Sequence, residues 1–238
     1  MYRRLDERQI LQTLRTLGQR IEERFPASGL GRVSRELGSI GEKAVSNVAW
    51  LRRPLFPVRF AAVVSALLMI AMLAGALLTA FRTTNGIADG LSDVVQGIDA
   101  LVNDFVFAGI AIWFVFTLEG RIKRRRALGA IHELRSIAHI VDMHQLTKDP
   151  ERYLSRQPDT ASSPVRDMNR EQLGRYLDYC SELLSVAAKL AALYVQDFAD
   201  PVVLEAVSEV ETLTTGLSGK IWQKITLLDQ ERMPAIEA

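Results

Sequence analysis

Phe60 to Phe81, FAAVVSALLMIAMLAGALLTAF, runs for 22 residues without a charged side chain and is interrupted only by Ser65, Gly75 and Thr79. At about 1.5 Å of rise per helical residue it covers roughly 33 Å, close to the ~30 Å of a bilayer's hydrocarbon core. No shorter element of a folded protein demands so long an uncharged run. The stretch is therefore expected to cross a membrane as a helix, and the chain to be membrane-integral.

Working outward, a second apolar run follows at Phe105 to Leu118, FVFAGIAIWFVFTL. Fourteen residues are short for a span, but Leu101 and Val102 extend it upstream, with Asn103 and Asp104 at headgroup level. Downstream it ends at Glu119, Arg121 and the cluster Lys123 to Arg126. Positive residues near span ends stay in the cytoplasm. Arg52, Arg53 and Arg59 before the first span and the basic cluster after the second both point inward. The loop between them carries Arg82 against Asp89, Asp93 and Asp99, which suits an outside segment. Both termini are expected in the cytosol. The first span begins near residue 58, too deep for a secretory signal, and is read as an uncleaved anchor.

The formal net charge of +1 hides a dipolar chain. Residues 1–59 hold 12 basic and 6 acidic side chains, 119–126 hold 5 and 1, and 127–238 hold 11 and 17. Basic segments beside the spans and an acidic distal region fit an anionic inner leaflet better than a nucleic acid, which is not expected as a partner. The one cysteine, Cys180, allows neither an internal disulfide nor a multi-cysteine metal site.

Beyond the spans the periodicity is helical. Ile10, Leu14, Leu17, Ile21 and Phe25 make an amphipathic N-terminal helix, broken by PASGLGR at 26–32 and followed by a short helix from about Ser34 to Trp50. Between the spans, Ile87, Leu91, Val94, Ile98, Leu101 and Phe105 form a heptad seam. After Ala127 to Leu146, the Ser- and Pro-rich stretch 155–165 is expected to be a mobile linker. Asn169 to Ala199 places Leu173, Leu177, Cys180, Leu184, Ala187, Ala191 and Tyr194 at coiled-coil spacing. A last helix opens at Asp200-Pro201 and runs through Val203, Val207, Val210, Leu217, Ile221, Ile225 and Leu228. No alternating run asks for a strand. The expected fold is all-α: a membrane-integral two-helix hairpin with a cytosolic bundle of coiled-coil-like helices. Its parts are an amphipathic N-terminal segment at 1–57, spans at 58–81 and 102–120, an extracytoplasmic segment at 82–101, and a bundle at 121–238.

Candidate chemistry is sparse. His132, His139 and His144 share one helix, but seven residues put His132 and His139 ~10 Å apart along the axis, too far for one ion with ~2.0–2.1 Å bonds. His139 with Asp142, three residues on, is the local chelating pair. The plain alternative is that His139 pairs with Asp142, while His132 and Arg135 make polar contacts at the edge of the apolar face Ile131, Leu134, Ala138 and Val141. Asp104, repeated in an oligomer, would ring a pore entrance with carboxylates. Ala71 and Gly75 form a small-xxx-small pair suited to close helix packing in a membrane. Neither phosphate-binding loops nor a nucleophile elbow occur, so no enzyme and no cofactor is expected.

HELRSIAHIVDMHQLTKDP at 132–150, with LTTGLSGKIWQKI at 213–225, resembles segments of uncharacterised bacterial two-span inner-membrane proteins. That resemblance implies a multi-pass location in a bacterial inner membrane and attaches no activity. The layout also resembles that of small two-span effector or channel subunits. The leading expectation is a homo-oligomeric scaffold or regulatory protein whose partners are the lipid bilayer, further copies of itself and an unknown cytosolic protein. Rival expectations are an oligomeric pore entered at Asp104 and a metal- or pH-responsive switch centred on His139.

Overall fold

A computed structural model describes residues 4–84, 91–148, 150, 161 and 168–230; within them the side chains at 73, 76–77, 79–84, 91–98, 100–101, 104 and 230 lie outside the description. The described residues form six helices and no strand: α1 Glu7–Arg24, α2 Gly29–Arg52, α3 Phe56–Thr84, α4 Leu91–Leu146, α5 Arg170–Ala192 and α6 Pro201–Gln230. They divide into two units, one of residues 53–125 and one of residues 1–52 with 126–238. Helix α4 runs through the sequence boundary between them. Of the linker 155–165 only Ala161 is described, and the seam residue Ile87 lies outside the described residues.

Each helix of the larger unit starts where a side chain can take up orphan backbone donors. Asp6 caps α1, its carboxylate accepting from the N–H groups of Arg8 and Gln9 at 2.9 and 3.3 Å. Asn169 and Gln172 form a reciprocal capping box on α5. Asp200 accepts from Val202 and Val203 N–H at 3.1 and 3.2 Å, and Pro201 takes the first position of α6, where it has no donor to lose.

Helix α2 begins five residues earlier than its periodicity predicts. The break is confined to the turn around Ala27, whose φ of 57° is left-handed. Glu22 Oε1 accepts from Ala27 N–H at 3.2 Å, and Ser28 Oγ accepts from Gly31 N–H at 3.1 Å, so two side chains hold the turn and open the helix. Gly29 is dictated from far along the chain. A Cβ there would stand 2.3 Å from His144 Cε1, because the imidazole at the end of α4 lies against the first residue of α2.

Every position of the expected N-terminal stripe, Ile10, Leu14, Leu17, Ile21 and Phe25, is buried. Helix α1 packs on α2 and α5, and α5 packs also on α2 and α6. Gly41 lets α1 approach α2 closely, since an added Cβ would meet Leu11 Cδ2 at 2.9 Å. Helix α5 departs from expectation. It ends at Ala192 rather than Ala199, and besides the seam it buries Tyr176, Tyr179, Leu183, Val186 and Leu190. That burial is wider than the two-position stripe of a paired coil, and it follows from having neighbours on several sides. At ~1.5–3 kcal/mol per buried large side chain, α5 is the largest apolar contributor to this unit.

Polar groups reinforce the packing at its edges. Phe25 meets Tyr176 edge-on with ring centroids 5.4 Å apart. Arg52 pairs with both Glu7 and Asp197, tying the end of α2 to the start of α1 and to the turn after α5. Lys224 of α6 donates to the carbonyls of Gln145 at 2.9 Å and Lys148 at 3.3 Å, closing the C-terminal end of α4 with a cation where the helix dipole favours one. Cys180 is fully buried, and burial pushes its thiol up to about 12.

In the unit of residues 53–125 many of the described large apolar side chains are exposed. Phe60 is 72% exposed, Leu67 60% and Met72 76%; on α4, Phe107 is 70% and Trp113 62% exposed. The structure has two helices that are long and apolar enough to cross a membrane by length and composition.

Burial, Arg32 and Lys148 together hold the His144 imidazole below its usual value, so its neutral form is the one the fold stabilises. A depressed histidine contributes stability that is present above its unfolded value near 6.5 and is lost as pH falls through the folded value. The urea midpoint, followed through exposure of the Cys180 thiol, is expected to drop as pH is lowered from 7 to 5 in the native chain. It should drop less in His144→Gln; equal pH dependence in both would contradict this placement.

Candidate functional site

Arg53-Pro54 separates α2 from α3, because a proline disfavours helical geometry in the residue before it and supplies no N–H. Helix α3 restarts at Phe56 with Pro57 in its first turn, where that missing donor costs nothing. The restart leaves Leu55 N–H outside the helical ladder, and it donates to Glu119 Oε1 at 3.4 Å. One turn on, Arg59 Nε donates to Glu119 Oε2 at 2.6 Å. From α4 itself, Lys123 reaches back four residues to Glu119 Oε1 at 2.8 Å. One carboxylate thus holds a backbone donor, a guanidinium and an ammonium.

The Glu119 and Lys123 side chains are 15% and 10% exposed, whereas Arg59 is 61% exposed. Lys123 is thereby a nearly buried cation whose recorded counter-ion is Glu119. Burying a charge is tolerable only with such a partner. One carboxylate against two cations leaves the cluster a single net positive charge, beside the uncharged stretches of α3 and α4.

The residues singled out by sequence fall elsewhere. His139 is exposed on α4, and Asp142 accepts from Gln145 Nε2 at 2.6 Å. Among the described residues no group of three or more His, Cys, Asp or Glu is placed to hold a metal ion. Ile131, Leu134, Ala138 and Val141 are buried, so the apolar face named beside the histidines is core. Arg135 crosses to Glu209 of α6 at 2.9 Å. The Asp104 side chain lies outside the described residues. Ala71 and Gly75 are both exposed, and no described atom comes within 4 Å of where a Gly75 Cβ would stand.

Sequence reasoning passed over Glu119 as the mere end of an apolar run. Its spacing of four to Lys123 was a visible signal; the distant Arg59 was not. A groove of about 780 Å³ between α1 and α5, floored by Leu5, Ile10, Leu17 and Val186, was equally hidden, because it arises from packing of distant segments. Neither a family model, a curated protein nor a solved structure matches this chain.

Replacing Glu119 with Gln removes the countercharge from Lys123 and Arg59. In detergent, Glu119→Gln and Arg59→Ala are each expected to lower thermal stability, followed by tryptophan fluorescence. The double variant should lose less than the sum of the two single losses. Strict additivity would contradict the cluster.

Proposed function

We propose that this chain is a membrane-anchored, homo-oligomeric helical scaffold or regulatory protein, with α3 and the first part of α4 crossing a bacterial inner membrane as a hairpin and the bundle in the cytosol. The observation carrying this reading is the contrast between the two units. The larger one buries its apolar stripes, while residues 60–72 and 105–116 expose Phe, Leu, Ile, Met and Trp side chains over consecutive helical turns. Continuous apolar surface of this extent is rare on a water-soluble monomer and calls for lipid or another copy as cover. A bilayer supplies that cover at the length these helices have. The Glu119 cluster then falls at the interface, where lower dielectric strengthens its ion pairs. The positive residues at 52, 53, 59, 121 and 123–126 favour the cytosolic side for the bundle. The open surface at Ala71 and Gly75 supplies a place for close approach of a second copy.

The fully buried Cys180 leaves the native chain without a reactive thiol, so a single introduced cysteine reports topology on a quiet background. Ser208→Cys, exposed on α6, is expected to react with a membrane-impermeant maleimide only after spheroplasts are permeabilised. Labelling in intact spheroplasts would overturn the orientation. For self-association, native mass spectrometry should find more than one copy of the wild-type chain and fewer of Gly75→Leu. An unchanged count would reject the Gly75 face.

A further inference from the structure

The groove between α1 and α5 lies within the bundle and is bounded at both ends. At one end the Gln196 side chain clasps the Leu5 backbone, accepting from its N–H at 2.8 Å and donating to its carbonyl at 3.4 Å. At the other, Arg20 stands 3.8 Å from Glu182 and lies over the Tyr179 ring. Ile10, Leu17 and Val186 are buried along the floor, and Leu5 is exposed beside the first clasp. The rise from Ile10 to Leu17 is ~10 Å, about the extended length of an eight-carbon alkyl chain. The volume of about 780 Å³ falls within the roughly 300–1,000 Å³ of small-molecule sites. A partner helix, ~10 Å across, would have to ride over both clasps, whereas one alkyl chain fits between them.

Every charge on the rim of this groove but one is answered within the bundle. Arg4 pairs with Asp197 and Glu182 with Arg20, while Asp6 is engaged by the first N–H groups of α1. Lys189 is exposed on α5 and has no carboxylate partner among the described residues. Its Nζ donates instead to Ser185 Oγ at 2.6 Å and to the Ser185 carbonyl at 3.4 Å. An ammonium carries three donors, so one remains, and a hydroxyl that accepts from an ammonium keeps its own hydrogen for another acceptor. One N–H and one O–H therefore stand side by side with a single positive charge. They match the two oxygens of one carboxylate, to which charge-assisted bonds are the strong kind.

We infer that the groove is a binding site for a free medium-chain fatty acid, its carboxylate held by Lys189 and Ser185 and its alkyl chain lying over Val186, Leu17 and Ile10. All of these residues belong to the bundle, so the site does not depend on what covers α3 and α4. A fatty alcohol has the chain without the charge. Acetate has the charge but nothing to cover the apolar floor.

The test is equilibrium dialysis of radiolabelled octanoate against the full-length chain in lipid nanodiscs, with uptake by empty nanodiscs subtracted. Wild-type binding is expected to saturate, where simple partitioning into lipid would rise without limit. Lys189→Gln should weaken octanoate binding about tenfold and Ser185→Ala about threefold, while Lys189→Arg keeps most of the affinity. Both side chains are exposed, so these changes leave the packing of α5 intact. Octanol should bind about tenfold more weakly than octanoate and respond to neither change. Val186→Trp, which fills the floor and leaves Lys189 in place, should abolish octanoate binding. Unsaturable uptake, or equal octanoate binding by wild type and Lys189→Gln, would overturn the site. Parallel loss of octanoate and octanol in Lys189→Gln would overturn it too, as would unaltered binding in Val186→Trp. Acetate competing as well as unlabelled octanoate would leave the apolar floor without a role and overturn the fatty-acid assignment.

Discussion

Helix α4 has to serve two surroundings without a break in its register, and the rest of the structure depends on how it does so. Glu119, Lys123, Ala127, Ile131, Leu134, Ala138 and Val141 follow one another at spacings of four and three, a single stripe along the helix. From Lys123 onward the residues of that stripe are buried. The stripe opens with an ion pair and continues as core. From Phe105 to Phe116 the exposed side chains are aromatic and aliphatic; downstream of Ala127 the exposed ones include His132, Arg135 and His139. A helix propagates its register cheaply once nucleated, which keeps residues at these spacings on one face.

Much of the fold was legible because helical period is written directly in the chain. The stripes of α1 and α6 are buried nearly position for position, and the starts at Asn169 and Asp200-Pro201 are where capping chemistry puts them. What could not be read is what depends on neighbours. A seam of Leu173, Leu177, Cys180 and Leu184 says that α5 has a partner, but not that it has several, so Tyr179 and Leu183 seemed outside the core. The glycines at 29 and 31 argued for a loop, whereas Gly29 answers to an imidazole 115 positions away and belongs to a helix. The candidate site was the least legible part. His139 and Asp142 stood out by residue type, yet the dense polar cluster formed around a glutamate that only looked like the end of a hydrophobic run.

The small and polar residues gain meaning from the same logic. Gly29 and Gly41 permit close approach inside the bundle, while a Cβ at Gly75 would meet no described atom within 4 Å. The first two are explained by this molecule alone; the third is explained if another surface packs there. Arginines divide likewise. Arg52 and Arg135 cross-link helices of the bundle, Arg59 neutralises Glu119, and Arg121 lies over aromatic rings. Net charge near zero therefore says little about this chain. What matters is which charges are spent internally and which face outward beside an apolar surface.

The central claim is that the outward apolar side chains of α3 and α4 are covered by lipid. Spin labels placed one at a time along 60–72 and 105–118, with the protein in lipid nanodiscs, measure this through collision with oxygen and with a polar nickel chelate. The account predicts high oxygen and low nickel accessibility at Leu67 and Ile110, with the ratio falling toward Arg59 and Arg121. Nickel accessibility as high at Leu67 and Ile110 as at Arg125 would contradict it.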